Sequence, residues 1–433
     1  MNSTFRFLSL LLLVLAFAQI SFANEPAEAL ARKAVSENAA DSAAAIEELR
    51  SLGPEGLQAL MAQYRSEIDA HIKNPSAAPD EQWQRISAAL DAVAQQKNSY
   101  VAGLYWYTDL DAAKKASKAL GKPILSLRLL GKLTDEFSCA NSRFFRTVLY
   151  PNDEVAAVLH DRFVLHWKSV RPVPTVTIDF GDGRKLQRTL TGNSIHYILD
   201  SDARPIDALP GLYGPKAFAR NLLSAEKLFK SLEGTTGQQR NFMLFQYFGD
   251  QHNKISAAWT TDTAKIGGKI PKGFEVVKGA DGDALSIAPL AVTKAITETS
   301  ILREMRMAES ELGKITDEAA WKKIAQLHPS DAMLDNRSLV LIERQNPTMT
   351  EAERARLVQK FQDLIALDTV RNEYLMHTKL YTSLMTDPAR LDVEKLNEKV
   401  YTSLFLTPGS DPWLGLFSPE VYTALDNGGV IRN

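Results

Sequence analysis

The run Lys122-Pro123-Ile124-Leu125-Ser126-Leu127-Arg128-Leu129-Leu130, followed after a short loop by Cys139-Ala140-Asn141-Ser142, decides how this chain is read. From Ile124 to Leu130 the apolar side chains are nearly continuous instead of alternating. That pattern suits a strand covered on both faces, as in an α/β layer. Gly121 ends the helix expected over 109–120, and Lys122-Pro123 leads into the strand. Beyond it, 131–137 reads as a loop, a helix begins around Cys139, a second short helix spans 154–160, and a strand covers 163–167. Val176, Ile178 and Phe180 alternate with polar residues, Gly181-Asp182-Gly183 turns the chain, and Leu186 and Leu190 continue beyond: a β-hairpin. A strand over 195–199, a turn at 201–204 and an antiparallel partner over 206–209 lead to a closing helix over 215–232. The expectation is an α/β domain over residues 101–235.

On either side the texture is helical. In 24–100, Ala45, Ile46, Leu49 and Leu52 recur at helical spacing, and Gly53-Pro54 ends that helix. Leu57, Leu60, Met61 and Tyr64 begin a second helix. Trp83, Ile86, Leu90 and Val93 mark a third, beyond a loop holding Pro75 and Pro79. The stretch 45–60 resembles a HEAT-type hairpin, with too few units for a solenoid. In 236–433, Thr350 and Glu353 form a capping box ahead of Leu357, Phe361 and Leu364. Further helices are expected over 368–384 and 393–404, before Pro408, Gly409 and Pro412 break the pattern and Gly428-Gly429 ends it.

The chain has 433 residues, 45% hydrophobic and 24% charged, enough for two or three packed domains and too apolar for a disordered polymer. Fifty basic against 52 acidic residues give a net charge of -2, so nothing marks a nucleic-acid binder. Residues 1–23 read as a signal peptide. Arg6 precedes an apolar run from Leu8 to Ala18, and Ser21 and Ala23 place small side chains before a cleavage site. The run is short for a membrane span, no second one of spanning length follows, and no cysteine follows it to carry a lipid anchor. The mature chain is expected to be periplasmic or secreted, without stable membrane insertion. Cys139, the single cysteine, excludes an intrachain disulfide framework and a cysteine-built zinc site. No Gly-x-Ser-x-Gly, phosphate loop, dinucleotide fingerprint or His-Glu-x-x-His occurs, so common hydrolases and nucleotide enzymes have no support, and no cofactor is expected.

The order of elements across 101–235 is similar to the thioredoxin-like fold. Asn152-Asp153-Glu154-Val155, continuing to Asp161-Arg162-Phe163-Val164, resembles the "DPEV…F" segment of one branch, and Gly211-Leu212-Tyr213-Gly214-Pro215 with Phe218 resembles its closing "GY…P..F". The resemblance covers the middle third of the chain. It implies that Cys139 matches the first cysteine of the family's C-x-x-C, with Ser142 in the place of the second. It further implies that Ser194, in Gly192-Asn193-Ser194-Ile195, stands where the family has a cis-proline opposite the active site. Asn193 and Ser194 are therefore the expected substrate-docking positions. Leu127 replaces the buried acid of many thioredoxins.

A thiolate at a helix start gains from the roughly half positive charge of the helix end. Arg143 and Arg146, one and two turns inward, can add to that field, and the Ser142 hydroxyl can bond the sulfur. Without a resolving cysteine, thiol–disulfide exchange has to pass through mixed disulfides with protein thiols or disulfides, resolved by an outside thiol. Against this stands the plainer alternative: a lone cysteine packed as a small hydrophobe, in a non-catalytic binding or scaffold protein on a thioredoxin-like platform. Sulfenic acid formation at Cys139 in peroxide sensing is a third option. Tyr105-Trp106-Tyr107 can line a groove, with Trp106 as its binding residue, or pack in a core. His71, His160, His166, His196, His252, His328 and His377 show no metal-ligand spacing and read as packing histidines. Asp179 to Gly183 lacks the ligand pattern of a calcium loop.

Overall fold

The computed structural model describes residues 25–189, 193–268, 318–386 and 391–405. The expected signal peptide, Leu190, and the Pro408 to Gly429 breaks lie outside the described residues. The chain is a mixed α/β protein in which a small mixed sheet is flanked by helices.

Strand β1, Ile124–Leu130, is buried along its whole length, as its unbroken apolar run requires. Burying each such Leu or Ile side chain contributes roughly 1.5–3 kcal/mol. β1 pairs in parallel with β2, Val164–Arg171, and antiparallel with β5, Ser194–Leu199, which pairs antiparallel with β6, Pro205–Pro210. The resulting order is β2-β1-β5-β6. The hairpin β3, Thr175–Asp179, and β4, Lys185–Thr189, stands apart as a two-stranded sheet. At its turn Asp179 and Asp182 accept hydrogen bonds from the backbone N–H groups of Gly181 and Arg184, so these acids shape the turn.

Residues 25–100 form five helices: α1 (Ala27–Ala34), α2 (Ala39–Ser51), α3 (Pro54–Gln63), α4 (Arg65–Lys73) and α5 (Glu81–Ala94). Three were expected. α1 is short, and α3 and α4 part at Tyr64, a break that no glycine or proline marks. Gly56 lets α3 touch α2: a Cβ there would lie 2.0 Å from the Leu49 carbonyl oxygen. α6 (Leu110–Leu120) is capped by Asp109 and closed by left-handed Gly121. α7 (Ala140–Phe144) runs into a wide π-type turn, Phe145–Leu149, and α8 (Asp153–Arg162) is capped by Asn152. α9 (Pro215–Ser231) closes the sheet unit.

The C-terminal helices are α10 (Gly237–Lys265), α11 (Glu318–Ala325), α12 (Asn336–Gln345), α13 (Glu351–Arg371), α14 (Thr378–Thr386) and α15 (Val393–Lys399). The capping box forms as the sequence requires, with Thr350 Oγ1 accepting from Glu353 N and the Glu353 carboxylate accepting from Thr350 N. The helix expected to start at 368 instead continues α13, because nothing in the sequence interrupts it. A wide turn at Asn372–His377 joins it to α14, and there Asn372 Nδ2 donates to the Leu212 carbonyl at 2.7 Å.

Two hydrophobic cores result. One joins the sheet to C-terminal residues such as Trp321, Ile365, Tyr381 and Tyr401, so it runs across the expected boundary at 235. The other belongs to the N-terminal helices, around Leu49, Leu60, Trp83 and Leu90, and takes in Val340 and Leu341 of α12. α12 thus ties both together. Asp335, its cap, also accepts from Asn152 Nδ2 and Asp153 N, while Ser338 Oγ donates to the Val148 carbonyl.

Candidate functional site

The chain turns out of β1 at left-handed Gly131, whose N–H bonds the Arg171 carbonyl at 2.8 Å. The loop folds back until Cys139 N–H meets the Leu130 carbonyl at 3.1 Å. Extended backbone at Cys139 then gives way to α7, so Cys139 stands immediately before the helix, at the expected place.

Its surroundings differ from those of an exposed nucleophile. Cys139 is 0% exposed and belongs to the main core. The thiol donates to Ser142 Oγ at 3.4 Å, and the Ser142 hydroxyl donates to the Cys139 carbonyl at 2.8 Å. The serine proton is therefore engaged by backbone. Burial, with a smaller contribution from nearby Cys139, holds the Tyr150 and Tyr401 hydroxyls well above the ordinary phenol value. Tyr150 Oη lies 2.8 Å from Nε2 of His196, whose ring burial brings down to about 3, so the imidazole is neutral.

Arg146 is buried, and its Nη2 donates to the Glu136 carbonyl at 3.0 Å, away from the sulfur. Nε and Nη1 have no partner. Arg143, half-buried, lines an open cavity of about 690 Å³ with Arg146 and Arg188. The two arginines expected to share a field with the thiol both line this cavity, and Cys139 is not part of its lining.

Asn193 and Ser194 open β5 and are buried. Ser194 has no cis peptide bond, and its carbonyl accepts from Gly211 N at 2.8 Å. The segment after α15 covers this position. Tyr401 Oη donates to the Asn193 carbonyl at 3.1 Å, and Asn193 Nδ2 donates to the Phe405 carbonyl at 3.4 Å. The expected docking positions are thus occupied by the chain's own C-terminal helices. Trp106 lines no groove: it is fully buried, donates from Nε1 to Gln96 Oε1 at 2.8 Å, and packs its ring 5.2 Å from that of Tyr150. Aromatic bulk there went to the core because the indole N–H found a buried acceptor.

His166 is also buried, 2.8 Å from Ser126 Oγ, and burial with the Arg128 and Lys168 charges brings it down to about 3. Among the described residues no three His, Cys, Asp or Glu side chains gather to hold a metal ion. Among them no helix is long and apolar enough to cross a membrane. Sequence reasoning did not anticipate Tyr150 and Tyr401 beside the thiol, or Arg188 on the cavity. Tyr401 carries no local signal, since its contact joins distant parts of the chain. Set against protein-family models, curated proteins and solved structures, the chain matches none of them.

Proposed function

We propose that this chain is a non-catalytic binding or scaffold protein on a thioredoxin-like platform, exported by residues 1–23. The platform is supported by the element order: a parallel strand–helix–strand unit carrying Cys139, then an antiparallel strand pair and a closing helix. The observation that carries the functional half is the sealed sulfur. Cys139 has no exposed surface, its thiol proton is engaged by Ser142, and Asn193, at the expected docking position, is hydrogen-bonded to Tyr401 and Phe405. A reactive thiolate needs access and a compensating charge, and Arg146 spends its one hydrogen bond on a carbonyl. Partner recognition then falls to the helices and to surfaces away from the sulfur.

A second reading is favoured by the same cover. If residues 400–405 lift off, the start of β5 is uncovered and Cys139 becomes a monothiol able to form mixed disulfides.

Alkylation of Cys139 by iodoacetamide separates the two. An opening free energy of about 4 kcal/mol slows a buried thiol roughly 10³-fold relative to the unfolded chain. The scaffold reading expects at least that protection at pH 8, and full labelling in guanidinium. Native labelling at the rate of a free thiol, persisting at pH 6, would overturn it. Protection that collapses in Tyr401→Ala while the far-UV spectrum stays native would instead support the gated monothiol.

A further inference from the structure

We propose that the open cavity between α7, the β3–β4 hairpin, the end of α12 and the middle of α13 binds a small ligand carrying a carboxylate or phosphate on an apolar body. The cavity encloses about 690 Å³, within the range of small-molecule sites. Its lining carries three guanidinium groups, from Arg143, Arg146 and Arg188, against a single carboxylate, Glu136. Glu136 is itself paired with Lys97 at 3.3 Å.

Arg146 is the decisive residue. Its side chain is 2% exposed, it makes one hydrogen bond, and Nε and Nη1 are left without partners. Burial lowers its pKa to about 10, so it remains charged at neutral pH. The charges of Glu136, Asp91 and Asp135 act on it, yet among the described residues no carboxylate hydrogen-bonds it, and proteins satisfy a buried guanidinium short of partners with an ion pair or a bound anion. The planar fork matches a carboxylate or phosphate. Phe137, Phe144 and Phe361 supply the apolar wall, with Phe144 and Phe361 packed edge to face at 5.7 Å. A bare inorganic ion would leave that wall unused, which is why an apolar body is part of the proposal. The site stands independently of the thiol, since it is built from charge and shape on the outer side of α7.

Isothermal titration calorimetry at constant ionic strength tests it, with phenylacetate and inorganic phosphate as probes. The expected result is saturable one-to-one binding of phenylacetate that weakens about tenfold in Arg188→Gln and more in Arg146→Gln. Phosphate should bind the same site more weakly and compete with phenylacetate. Should Arg146→Gln fail to fold, Arg188→Gln, on the exposed hairpin, carries the comparison. No saturable heat from either probe up to about 10 mM, or equal affinity in Arg188→Gln, would overturn the site. Phosphate binding more tightly than phenylacetate would overturn the apolar body. Cys139 alkylation is read separately, so failure here leaves the scaffold proposal standing.

Discussion

His196 makes acid stability the sharpest test of the core around Cys139. It faces Leu127 across the sheet, with Phe145 at 4.6 Å and Phe218 at 4.9 Å between ring centroids, and its Nδ1 has no partner. Burial holds its pKa at about 3, against roughly 6.5 in an unfolded chain. The folded ring is therefore neutral over a range in which the unfolded ring binds a proton. Its stabilising contribution is complete above pH 6.5 and is lost as pH falls from there toward 3. Each pH step in that window removes about 1.4 kcal/mol, so between pH 7 and pH 5 the loss is about 2 kcal/mol from His196 alone. His166, brought to about 3 by burial and by Arg128 and Lys168, adds a similar amount. Urea unfolding followed by tryptophan fluorescence at the two pH values, in the natural protein and in His196→Phe, isolates the effect. The variant loses the Tyr150 hydrogen bond, a pH-independent cost of about 1–2 kcal/mol, while its pH 7 to pH 5 loss shrinks by about 2 kcal/mol. An unchanged pH dependence in His196→Phe would refute a neutral buried imidazole.

Two substitutions test how the C-terminal helices hold the sheet. Gly214→Ala forces a Cβ to within 2.0 Å of the Asp331 carbonyl oxygen, so the turn at Pro329–Ala332 has to retreat from the start of α9. Overpacking against backbone should cost about 3 kcal/mol, read as a lower urea midpoint with an unchanged slope. Glu394→Gln removes the carboxylate that Arg128, 1% exposed on β1, meets at 3.0 Å and that Lys168 meets at 3.1 Å. Because Glu394 is half exposed, the expected cost is about 2 kcal/mol, below that of a fully buried pair, and a fully neutral result in urea unfolding would show that α15 is held by apolar contacts alone.

Much of the sheet unit was legible in the sequence because its signals are local. The apolar run at 124–130, the Asp109 and Gly121 boundaries of α6, the glycine turn at 181–183 and the capping box at Thr350 each act within a few residues, and all form. The helices α1 and α4 escaped because short helices with weak breakers depend on packing for their definition. The burial of the thiol was not legible for a related reason. Its position before a helix follows from local pattern, whereas its burial comes from a core assembled from segments far apart in sequence, which brings Tyr401 near the thiol. The surroundings of Arg146 were hidden by geometry. A regular helix keeps positions 139, 143 and 146 near one face, and the wide turn that begins at Phe145 breaks that spacing before Arg146.

The segment from Cys139 to Tyr150 therefore separates two chemistries that its sequence places side by side. On its inner side Cys139, Phe145 and Tyr150 enter the core, where His196 is kept neutral. On its outer side Arg143, Arg146 and Thr147 line the cavity. The positive charge that would activate a sulfur is spent on the opposite side of the same short element. With the thiol sealed and a buried guanidinium that no carboxylate among the described residues hydrogen-bonds, an anion entering the cavity from solvent is the partner that Arg146 lacks.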